Sequence, residues 1–255
     1  FKRLVAMELG TLACQFNHVW CLAHRLNLVI RDFQNVPNIN SVFLFSDWFA
    51  SKRKAVVYRT WLKETFPTTR FKKITKPSET RWTFYRDVLN SILSQVDQVE
   101  RFLMQDEDFL EFRCKLSILG SISDTVSSRA FFANQFILSH FKFASFILEK
   151  LCLMNEQLQE QYSFLTLCWS SIQQMKGVFE SYERKMKNDC FDDFEYVGSF
   201  NRREKETFIL VIQRLILNIQ TRFPCPITCI GARKANTNTD FTTNTLDQRF
   251  LRSVK

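Results

Sequence analysis

The chain has 255 residues, enough for one large domain or two small ones, and its 45% hydrophobic and 24% charged residues exclude a wholly disordered chain. Phe occurs 27 times but Gly and Pro only 5 times each, against about 18 Gly and about 13 Pro at average usage. So few turn residues argue against sandwiches, barrels and disulfide-stapled modules, and favour long helices.

Residues 1–14 read as the end of a helix (Leu4, Val5, Leu9, Leu12) broken at Gly10, and Phe16 to Cys21 as a short buried strand. The chain opens on Phe1 with no charged-then-apolar leader, so the sequence reads as a piece of a longer protein or a decayed reading frame. From His24 to Phe33 the pattern Leu26, Leu28, Val29, Ile30, Phe33 suits a helix that stops before Pro37. Ser41 to Phe66 is expected to be helical, with Val42, Phe45, Phe49, Val56 and Trp61 pointing inward. Lys72 to Thr80, with Pro77, is expected as a strand or loop.

Phe84 to Leu103 is the clearest amphipathic pattern, with Val88, Leu89, Ile92, Leu93, Val96, Val99, Phe102 and Leu103 at helical spacing. Further helices are expected over 108–119, 129–156, 161–187 and 203–222. Their breaks fall at Gly120-Ser121, Asn155 to Gln159, and the acidic stretch Asn188 to Glu195. The Phe stripe Phe132, Phe136, Phe143, Phe146 reads as helix packing. Residues 232–247 form a Thr/Asn-rich linker. The apolar run Phe131 to Met154 carries Asn134, Gln135, His140, Lys142, Glu149 and Lys150, which a membrane span would not, so no membrane is expected as a partner. The eight cysteines mostly sit inside apolar runs, as small hydrophobes in a reducing, intracellular setting.

The net charge is +9, and residues 50–86 alone hold 11 basic and 2 acidic residues. The basic residues are Lys52, Arg53, Lys54, Arg59, Lys63, Arg70, Lys72, Lys73, Lys76, Arg81 and Arg86. Tyr58, Trp61, Phe66, Phe71, Trp82, Phe84 and Tyr85 are interleaved with them. Cations neutralise phosphates and aromatics can stack on bases, so the segment reads as a nucleic-acid surface, with DNA the expected partner. The alternatives are a solvated basic face over ordinary core aromatics, or a helical interaction module that binds an acidic protein partner.

Two local patterns stand out: C-L-A-H-R-L-N-L from Cys21 through His24 to Leu28, and P-S-E-T-R-W from Pro77 to Arg81 and Trp82, with 57 residues from His24 to Arg81. In that order they resemble the transposases of the hAT superfamily and the host proteins derived from them. The resemblance covers about residues 1–225. It implies a mainly α chain with a partial α/β RNase H-like core and a large all-helical insertion. The divisions would be residues 1–83 for the core with its basic strip, 84–222 for the insertion, and 223–255 for a linker and returning segment. It also implies a nuclear, DNA-handling ancestry, with Trp82 near the ancestral active site.

The family's chemistry needs three acidic residues holding two divalent cations. Glu8 is the only acid before Cys21, and Asp240 and Asp247 lie in or beside the linker. No catalytic residue is assigned, so the chain as given is expected not to cut DNA. Magnesium would enter only if a longer protein supplies the triad. An active transposase truncated in this sequence remains an alternative. Cys14, His18, Cys21 and His24 match no usual structural-zinc spacing, and Cys225 and Cys229 lack further partners, so no metal site is expected.

Overall fold

In the computed structural model, residues 22–74, 83–121, 131–160, 165–194 and 200–223 are described. Helix α1 (Leu22–Gln34) buries Leu26, Val29, Ile30 and Phe33, the stripe its sequence carries. Pro37 stops it, and Asn38 takes the left-handed turn (φ 67°), which Asn tolerates better than most residues. Helix α2 (Ile39–Phe49) follows. Its Ser41 hydroxyl accepts the Ile118 N–H at 3.0 Å and lies 3.0 Å from the Ser117 hydroxyl.

The stretch from Ser41 to Phe66 is helical as expected, and it is divided between two helices. Helix α3 (Lys52–Thr65) restarts at Ser51, whose hydroxyl accepts the Lys54 N–H at 3.3 Å as an N-cap. The new axis turns Val56, expected inward, out to solvent at 50% exposure. The pattern from Phe84 to Leu103 likewise divides, into α4 (Thr83–Leu93) and α5 (Val96–Leu103), with buried Gln95 at the joint. Residues 108–119 give a short α6 (Glu107–Arg113) and the first turn of 3₁₀ helix (Ser117–Ser121).

Helix α7 (Gln135–Glu160) starts later than the expected 129 and runs through the expected break at Asn155, which is buried. Phe131 and Phe132 precede it in a turn whose two N–H groups donate to the Glu100 carboxylate, at 2.6 Å each. Helices α8 (Leu165–Lys187) and α9 (Arg202–Arg222) follow, separated by a second 3₁₀ turn (Asp192–Phe194). Helix α9 begins with a reciprocal capping box. The Asn201 side chain accepts the Glu204 N–H at 2.9 Å, and buried Glu204 accepts the Asn201 N–H at 2.7 Å and the Ser139 hydroxyl at 2.5 Å.

Helix α7 is the axis of packing, with α1, α2, α4 and α8 laid against it, and α9 lies on α8 and α1. The abundant Phe explains how so few turn residues suffice: rings fill the spaces between long helices. Phe45 of α2 meets Phe131, Phe132, Phe141 and Phe49 at centroid distances of 5.2, 5.6, 5.3 and 5.5 Å. A second cluster joins α7 to α9, where Phe143 stacks on Phe208 at 4.0 Å and 11°. Arg25 of α1 donates to the Arg222 carbonyl at 2.8 Å, and Arg222 pairs with Asp32, so the end of α9 is fastened to α1.

The fold is mainly α, and the described residues contain no strand. The expected strand at 16–21, the helix at 1–14 and the 232–247 linker lie outside the described residues. Among the described residues, helices on both sides of residue 83 pack together in one unit, with α4 against both α2 and α7. No described helix is long and apolar enough to cross a membrane.

Candidate nucleic-acid interface

Helix α3 advances about 100° per residue, which sorts its cations by direction. Lys52, Val56, Arg59 and Lys63 fall within roughly 60° of one another, while Lys54 lies about 160° from Lys52. The structure follows this geometry. Lys52, Arg59 and Lys63 are exposed, and Lys54 is 4% exposed. Its ammonium donates to both oxygens of Asp106 at 2.8 Å and to Asp108 at 2.9 Å, and sits 4.9 Å from the Trp48 ring centroid. Those bonds hold the Asp108 carboxyl below the usual carboxylate range. Lys54 is therefore a core cation joining α3 to the start of α6, and it is removed from the proposed surface. Arg53 is exposed, with one long pair to Asp108 at 3.8 Å. Arg86, counted in the basic excess, is drawn inward to Asp87, Glu149 and Glu156, between α4 and α7.

After α3, residues 66–74 run without regular structure along its flank. Phe66 bridges Trp61 and Phe71 at 5.8 and 5.7 Å, and Ile74 is buried. Gln95 fixes the path: its amide donates to the Lys72 carbonyl at 3.1 Å and the Ser91 carbonyl at 2.9 Å, and its oxygen accepts the Tyr58 hydroxyl at 3.1 Å. Desolvation raises the Tyr58 phenol, which stays a proton donor at neutral pH. Sequence reasoning does not single out Gln95 as a positioning residue, because it sits in an apolar repeat. Its polarity within that repeat is the available signal.

The fixed segment presents Arg70, Lys72 and Lys73 to solvent beside Arg59. Between it and α3 lies a groove of about 200 Å³, floored by Ala55, Tyr58, Leu62 and Ile74. Phe71 and the cations Arg59, Lys72 and Lys73 complete its lining, with no carboxylate among them. The side chains of Lys52, Arg59, Lys63, Arg70, Lys72 and Lys73 make no ion pair or hydrogen bond among the described residues. Lys76, Arg81 and Trp82 lie outside the described residues, as does Cys21. His24 is placed in the first turn of α1, its side chain outside what is described.

Elsewhere, His140 of α7 is fully buried between the Phe136 and Phe208 rings, at 4.4 and 4.9 Å. Its Nδ1 lies 2.7 Å from the Phe136 carbonyl, and burial lowers its pKa to about 4. Burial also pushes the Cys152 thiol up to about 12, which makes it a packing group and not a nucleophile. Among the described residues no three His, Cys, Asp or Glu side chains gather as metal ligands. No family model, curated protein or solved structure matches the chain.

Proposed function

We propose that the chain is a segment of a hAT-transposase-derived nuclear protein that binds nucleic acid through the cationic edge of α3 and residues 70–73. In this reading residues 1–83 descend from the RNase H-like core and 84–222 from the helical insertion. The chain as given does not cut DNA, and magnesium would belong to a longer protein that retains the acidic triad. The ancestry rests on the two motifs at 21–28 and 77–82. The binding rests on one observation: six exposed cations along one edge have no carboxylate partner among the described residues.

A polyanion is the partner that such an edge lacks. The test is a salt titration of binding to a labelled duplex. Affinity should fall linearly with log salt, and the Lys52→Ala/Arg59→Ala/Lys63→Ala variant should lower that slope by about 0.9 for each phosphate it no longer neutralises. An unchanged slope in the variant would remove the edge from the interface. A second reading is favoured by Val56 and Val57, exposed at 50% and 44% within the same helix, which suit an acidic amphipathic peptide. Tighter binding to such a peptide than to DNA at equal salt would select it.

A further inference from the structure

We infer that the groove between α3 and residues 71–74 receives one unpaired nucleotide of a nucleic-acid strand, so that single strands are the preferred ligand of the basic edge. The inference rests on the nucleic-acid reading above and adds to it the class of nucleic acid.

Two chemistries meet in one small space. Arg59, Lys72 and Lys73 bring three positive charges to a groove of about 200 Å³, while Leu62, Ile74 and Phe71 bring apolar and aromatic surface. A free inorganic anion would leave the apolar surface unused, and an apolar peptide would leave three cations without counter-charge. An unpaired nucleotide carries a flat, apolar-faced base and a phosphate within one residue, and satisfies both. A duplex keeps its base faces stacked inside and can offer the groove only its backbone.

The ligand is a strand and not a free nucleotide because the charge continues beyond the groove. Lys52 and Lys63, with Val56 between them, extend the edge of α3 over about 16 Å. At roughly 3.4 Å per phosphate in a stacked strand, that length faces several phosphates. The groove is also set before any ligand arrives, because Gln95 holds the Lys72 carbonyl and the Tyr58 hydroxyl.

The test is fluorescence anisotropy on the full chain with a labelled oligothymidylate strand, a duplex of equal length, and thymidine monophosphate as competitor. The strand should bind about tenfold more tightly than the duplex, as one stacked base predicts. Phe71→Ala should erase that preference and leave duplex binding unchanged, and Phe71→Trp should restore it. The exposed pair Lys72→Ala/Lys73→Ala, which leaves the core untouched, should weaken strand binding more than duplex binding. Equal binding of strand and duplex, with Phe71→Ala silent on both, overturns the inference and leaves the basic edge as a duplex surface. Competition by the monophosphate at concentrations matching the strand's Kd also overturns it. Absence of salt-dependent binding to either oligonucleotide removes the nucleic-acid reading itself.

Discussion

The α8–α9 pair and the α3 edge are both rich in cations, and they treat them differently. In the first, Lys176, Lys187 and Arg202 pair along their own helices with Glu180, Glu183 and Glu206 at 3.1, 2.6 and 3.0 Å. Lys185 and Lys205 reach Asp193 and Asp189 at 2.7 and 2.5 Å. On the α3 edge, Glu64 is the sole acid from residue 51 to 74. Composition alone would call both regions charged helical surface. The partner of each charge separates them: the first region pairs most of its cations internally, with exposed Arg184 and Arg214 left over, and the other leaves six along one edge for something outside the described residues.

The comparison can be broken or sharpened by substitution. The largest effect falls where α7 meets α9. Phe143 is fully buried and stacked on Phe208, so Phe143→Ala should cost about 3–5 kcal/mol in urea unfolding. A loss under about 1 kcal/mol would show that this face does not pack as described.

Next comes Lys54, which, like Arg86 in the same segment, is held by carboxylates as the cations of α8–α9 are. Lys54→Ala should cost about 3 kcal/mol, because it strands Asp106, whose side chain is only 10% exposed, whereas neighbouring Lys52→Ala should change stability by under about 0.5 kcal/mol. Equal effects at the two positions would abolish the division of the Lys52-Arg53-Lys54 triplet.

His140 predicts a pH dependence of similar size. The unfolded imidazole takes its proton near pH 6.5, while the folded one, desolvated and close to Arg203, takes it only at about 4. Between those values the unfolded state binds more protons, so stability is complete above 6.5 and falls as pH drops toward 4, by about 3 kcal/mol in all. His140→Leu should flatten that part of the stability–pH curve. A curve unchanged by the substitution would mean that the ring is protonated in place.

The smallest effect on stability comes with no effect on binding. Lys187→Ala/Arg202→Ala/Lys205→Ala removes as much charge as the α3 triple variant, from cations that already have partners. It should leave the salt slope for DNA unchanged, and each exposed pair should cost under about 1 kcal/mol. Matching reductions of slope in both triple variants would show that net charge alone governs binding.

Much of the helical order is legible in sequence. α1 and α9 fall within two residues of their expected limits, because strong apolar periods end at Pro37 and begin at a polar Asn201 with its capping Glu204. The divisions at Ser51 and Gln95 are not, since an apolar period continues across a bend when both helices bury the same side. α7 passes through Asn155 because tertiary burial outweighs a polar run. The basic segment is visible as composition, but Lys54 does not belong to its surface: adjacency in sequence separates side chains around a helix instead of grouping them. The groove is invisible in sequence, because the bonds of Gln95 join residues 23 and 37 positions away in the chain.

That same Gln95 gives the 66–74 segment a vulnerability that can be read without any ligand. The Gln95 amide ties the segment's backbone to the α4–α5 joint, and trypsin recognises the peptide bonds that follow Arg70, Lys72 and Lys73. Gln95→Ala frees the Lys72 carbonyl and leaves Tyr58 without its acceptor, so the segment can detach while the helices behind it stay folded. Limited trypsin digestion would then cut near residue 72 sooner, into pieces that remain associated. The wild-type chain would be cut at these sites more slowly at the same dose, which turns one buried side chain into a reporter of local opening.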